Sequence, residues 1–124
     1  MAGGRLRACP ESPNCVSTVA GDATHRVAPF DLAVDRAEVW PTVQEAVAAI
    51  PRCAVVTATA DYLHAEVSSV VFGFVDDLEV HLPADGHGLI VRLASRLGYS
   101  DFGVNRRRIE ALRAAVESRG VVRR

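Results

Sequence analysis

Residues 53 to 97 hold four short runs of alternating apolar and polar side chains, and this block most restricts what the chain can become. The runs fall at about 53–60, 62–68, 73–82 and 88–97, with Asp61 and "PADGHG" (83–88) supplying turn chemistry and β-branched residues filling the runs. Strands joined so closely predict an antiparallel meander, because parallel pairing needs a long crossover. One face of such a sheet requires cover, and two helical stripes flank the block. In "DRAEVWPTVQEAVAAIP", Val39, Val43, Ala46, Val47 and Ile50 share one face, Asp35 with Glu38 forms a capping-box pattern, and Pro51 stops the helix. Pro41 either kinks that helix or starts its regular part. A last helix, about 102–118, turns Val104, Ile109, Leu112 and Val116 inward, and Gly120 closes it. The predicted fold is α+β: a four-stranded antiparallel meander sheet with two helices packed on one face.

The chain has 124 residues, the length of one domain. Residues 1–26, rich in Gly, Pro, Ser and Asn, show no period and read as an irregular N-terminal arm, with 27–120 as a single α+β domain and 121–124 as a C-terminal tail. "RVAPF" (26–30) reads as a short edge strand. Net charge is -1, so the overall field suggests neither nucleic acid nor an anionic membrane as partner. All 14 basic residues are arginine, which excludes lysine nucleophiles and Schiff bases. No apolar run reaches the length of a membrane span, and the start has no apolar signal region, so a cytoplasmic location is the default expectation.

Strand alternation places the polar residues. Pairing Leu82 with Leu89, Val80 with Val91 and Leu78 with Leu93 gathers the apolar set on one face and sets Asp76 opposite Ser95 on the core side. Extending the pattern places Val67, Ala65 and Leu63 opposite Phe74, Asp76 and Leu78. A buried, unpaired carboxylate costs several kcal/mol. Arg108, one turn after Val104 on the inward stripe, is therefore the expected partner of Asp76, with Ser95 completing the pair. The other face collects Tyr62, His64, Glu66, Asp77, Glu79, Arg92 and Arg96, with Glu79 opposite Arg92. It reads either as a solvated face of weak ion pairs or as a binding surface, and His64 beside Asp77 has the makings of an acid–base pair. Ser100 or Asp101 is the expected cap of the last helix, whose N-terminus beside Arg96 and Arg106 is a candidate anion site unless Asp101 fills it.

Cys9 and Cys15, in "CPESPNC", are separated by residues suited to a turn. They predict a small disulfide loop in an oxidising compartment and free thiols in the cytosol. A metal alternative adds His25, although C-x₅-C is an unusual zinc spacing and a fourth ligand is missing. Cys53 reads as an apolar filler. No phosphate loop, dinucleotide fingerprint, serine elbow or metal-ligand cluster is present, so no cofactor and no metal are expected.

Three stretches, "CPESPNCVST", "FVDDLEVHL" and "RLASRLGYSDFGVNRRRIEAL", together resemble the bacterial and plastid family catalogued as domain of unknown function 1499. Its pattern resembles C-P-x-S-P-N-C-V-S near the start, F-V-D-D in the middle and R-S-x-S-R-x-G-x-S-D-x-G-x-N-R-x-R-I near the end. The likeness covers residues 9 to about 112 and matches Asp76, Asp77, Arg92, Ser95, Arg96, Ser100, Asp101, Asn105, Arg106 and Arg108, among others. Leu93 departs from it, standing where the family usually carries a serine or similar small residue. The resemblance implies no activity. It does imply relatives that are often exported, a setting that suits the paired cysteines.

Three functional expectations follow. One is a non-catalytic small soluble module that binds a small anionic ligand or a protein partner through an Arg/Asp/Ser/Asn cluster: Arg92, Ser95, Arg96, Ser100, Asp101, Asn105, Arg106 and Arg108. A second is a cofactor-independent enzyme with Asp76 or Asp77 as general base and Arg92 or Arg96 stabilising negative charge. A redox or metal role for Cys9, Cys15 and His25 is a third.

Overall fold

A computed structural model describes residues 5–69, 74–84, 86, 88–96 and 103–124. The chain order is β1 (Cys15–Ser17), β2 (Phe30–Asp31), α1 (Arg36–Ala48), β3 (Cys53–Ala58), β4 (Tyr62–Ser68), β5 (Val75–His81), β6 (Gly88–Ser95) and α2 (Val104–Ser118). The expected meander is present as β3 to β6, but the sheet has six strands, not four. β1 and β2 both pair antiparallel with β6, on the edge that β5 leaves open. β1 lies in the arm, and its three residues are too few to display alternation, which is why the arm reads as irregular in sequence; β2 falls at the end of 26–30, the stretch read as a short edge strand. Gly88 allows the close pairing with β2: a Cβ there would stand 2.8 Å from the Phe30 carbonyl oxygen.

Alternation fixes which side chains face inward. β6 pairs with β5 in the expected register, Asp76 opposite Ser95 and Glu79 opposite Arg92. The β4–β5 register departs from expectation by two residues: Val67, Ala65 and Leu63 oppose Asp76, Leu78 and Val80. A shift of two preserves every face assignment, so the hydrophobic pattern carries no information against it.

Both helices cover the inner face. Val39, Val43, Ala46 and Val47 of α1 and Ile109, Leu112 and Val116 of α2 join Leu63, Leu78, Val80, Val91 and Leu93 in one core. α1 runs through Pro41, which sits near its exposed start. Asp35 takes the N-cap position of α1 without a side-chain capping bond, so the expected box does not close. α2 spans Val104–Ser118 with Gly103 as N-cap, close to the expected 102–118; Phe102 and the expected caps Ser100 and Asp101 lie outside the described residues. Gly120 follows α2 as expected. Val121 and Val122 are buried, and Val122 bridges to Leu32, which ties the segment read as a tail into the core. Among the described residues no helix is long and apolar enough to cross a membrane.

Candidate functional site

The core-side acid is where alternation puts it. Asp76 is 6% exposed and forms an ion pair with Arg108, which α2 carries across from the helix layer. Ser95, opposite Asp76, accepts a hydrogen bond through Oγ from Asn105 Nδ2 at 3.0 Å. Asn105 is fully buried and also donates to the Asn14 carbonyl at 2.9 Å, while Asn14 Nδ2 donates to the Ser95 carbonyl at 3.3 Å. One amide side chain thus ties arm, sheet and helix together.

The outer face is only partly solvated. The arm meets it at Ala8, whose carbonyl accepts from Arg92 at 3.5 Å, and the Cys9–Cys15 disulfide ties this stretch to β1. Beneath the arm, Arg92 and Glu79 form a buried pair at 3.3 Å, and the Tyr62 hydroxyl donates to Glu79 at 2.6 Å. Burial, then the Glu79 carboxylate, pushes the Tyr62 hydroxyl far above its ordinary range. Farther along, Arg96 donates from Nε and Nη2 to both Asp77 oxygens at 2.8 Å each and also pairs with Glu66. His64 Nε2 meets Asp77 at 2.8 Å. The Arg96 hydrogen bonds, opposed by burial and helped by His64, hold Asp77 below the usual carboxylate range. A carboxylate so stabilised is a weak base.

The remaining expected residues take structural partners. Arg106 donates to the Arg26 and Thr24 carbonyls at 2.6 and 3.0 Å, fastening the arm to α2. His25, 7% exposed, places Nδ1 2.7 Å from Asp22 and Nε2 2.9 Å from the Ser12 carbonyl. With acceptors at both ring nitrogens, the doubly protonated ring is favoured: the Ser12 carbonyl is the largest cause, and His25 stands above its ordinary pKa. Among the described residues no three His, Cys, Asp or Glu side chains gather to hold a metal.

The sequence reading missed a cavity on the helix side of the sheet. It measures about 350 Å³ and lies between α1, α2 and the inner face. Of its 14 lining residues, 11 are apolar, Ile50, Leu78, Leu93 and Leu112 among them, and three are Arg52, Arg108 and Arg119. Arg108 bonds to Asp76, and Arg119 lies 3.7 Å from the exposed Glu45. Arg52 donates to the Ser68 carbonyl at 3.1 Å and makes no ion pair among the described residues. Burial first, and then the Arg52 charge, presses Arg108 below its ordinary range. Arg52 also adopts φ +57, in the left-handed region, in the turn after Pro51. The only sequence signal for this was a helix stop followed at once by a strand, a turn in which glycine or asparagine would be usual. A larger hollow of about 690 Å³ runs along residues 31–37 but is shallower, with Asp31 and Asp35 set against Arg36 and Arg123.

These features define a class: a small α+β domain whose sheet is locked by a disulfide-pinned arm on one face and hollowed under arginines on the other. The chain belongs to the family described as Protein of unknown function (DUF1499), whose sequence profile matches residues 5–116. No curated protein matches it.

Proposed function

We propose that this chain is a non-catalytic module that binds a small anionic ligand, and that Arg108 and Arg52 on the helix side receive it. One observation carries the reading. Arg92 and Arg96 on the sheet face are each matched by carboxylates, Glu79 for the first and Asp77 with Glu66 for the second. Around the cavity, among the described residues, the three guanidiniums find two carboxylate partners, Asp76 for Arg108 and Glu45 for Arg119. An apolar hollow of this size with a few convergent polar groups has the makings of a ligand site. Its described lining offers no nucleophile, acid or base, which favours binding over turnover.

The catalytic alternative has less support. Asp76 is closed behind Arg108, and Asp77 is held ionised by Arg96. The half-exposed His64–Asp77 pair is the best remaining candidate for acid–base work. A thermal-shift screen of small carboxylates and phosphates at fixed ionic strength tests the reading. A saturating ligand should raise the melting temperature of the wild type and of Arg96→Ala, and raise that of Arg52→Gly distinctly less; ~2.7 kcal/mol of stabilisation is expected for the wild type at a hundredfold excess over Kd. A ligand response lost in Arg96→Ala but kept in Arg52→Gly would return the site to the sheet face.

A further inference from the structure

We infer that the cavity takes a single-chain amphiphile, an unbranched apolar chain ending in a carboxylate or phosphate head; this rests on the anion-binding reading above and names the ligand class. The first argument is the lining. Ala46, Ile50, Leu78, Leu93, Leu112 and Ala115 offer the body of a ligand no hydrogen-bonding side chain. A sugar, nucleoside or peptide placed there would lose its hydration without compensation, at several kcal/mol for each unpaired group. Only an apolar body suits such a wall. A volume of about 350 Å³ lies near the small end for ligand cavities, which favours one chain over a two-chain lipid.

The second argument is the rim. Arg52 and Arg108 stand close enough for the charge of one to disfavour that of the other. An anionic head between them relieves that repulsion and gives both guanidiniums a forked acceptor. The backbone supplies the third. Arg52 holds φ +57, a conformation that glycine adopts at less cost, so the chain bears local strain at a cationic residue that lines the cavity.

Titration calorimetry on the intact, disulfide-bonded chain tests this, using decanoate and decyl phosphate below their micellar concentrations against butyrate, inorganic phosphate and decanol. The long-chain anions should bind at least about tenfold tighter than butyrate, phosphate or decanol. Arg52→Gly should weaken decyl phosphate by about tenfold or more while its melting temperature holds or rises, since the substitution removes a strained residue and not a core contact. Ala115→Phe, which fills the hollow, should block the long chains; if it fails to fold, Arg52→Gly decides alone. Butyrate and phosphate binding as tightly as their long-chain counterparts would overturn the amphiphile and leave anion binding standing. Decanol matching decyl phosphate, with Arg52→Gly indifferent, would overturn the amphiphile and the anion-binding reading together. No binding by any anion would overturn both readings.

Discussion

Two buried polar residues help to hold the arm, and each makes a measurable demand. Asn105 has no exposed surface and joins the Asn14 carbonyl and the Ser95 hydroxyl in one network. Asn105→Ala leaves buried acceptors without their donor, so urea unfolding should show a loss of about 1–3 kcal/mol. His25 demands a charge. Its pKa lies above 6.5 in the folded chain because the Ser12 carbonyl and Asp22 both accept from the ring. A raised folded pKa means that its stabilisation is complete below 6.5 and is lost as pH climbs through the higher folded value. The urea midpoint of the wild type should therefore fall between pH 6 and 8.5, and His25→Gln should flatten that fall. An equal fall in both proteins would remove His25 as the cause.

Among the elements, the arm changes the character of the whole outer sheet face. Strand alternation alone makes Glu79 and Arg92 surface residues worth little to stability. Both are buried, Arg92 bonds the arm at the Ala8 carbonyl, and the Cys9–Cys15 bond ties that stretch to β1. Closing so short a loop restricts the unfolded chain by about 2 kcal/mol in the chain-entropy account. Cys9→Ser with Cys15→Ser should cost about that much in urea and should raise amide exchange at β1 ahead of β4 and β5. Exchange that rose evenly across the sheet would show that the arm is not a separate unit.

Taken whole, the molecule has one core, to which the arm, both helices, the sheet and Val121–Val122 all contribute. Such sharing predicts a single cooperative transition. Trp40, whose indole Nε1 donates to the Thr59 carbonyl at 2.8 Å and so links α1 to the end of β3, reports on that packing. Its fluorescence and the far-UV circular dichroism should give coincident urea curves in the wild type. Two separated midpoints would mean that sheet and helices unfold independently.

By itself, the sequence determined the α+β class, the meander of β3 to β6, the inner and outer faces of β4 to β6 and the burial of Asp76 against Arg108. Those follow from periods of two and 3.6 residues and from the cost of an unpaired buried charge, which are local or pairwise rules. Tertiary structure alone decided β1 and the pairing of both short strands with β6, the two-residue register of β4 on β5, the burial of Glu79 and Arg92, and the arginine-rimmed cavity. None of these has a period to read: a strand of two or three residues cannot alternate, and a shift of two leaves the pattern unchanged. A hollow belongs to the space between elements, and no single stretch of chain encodes it.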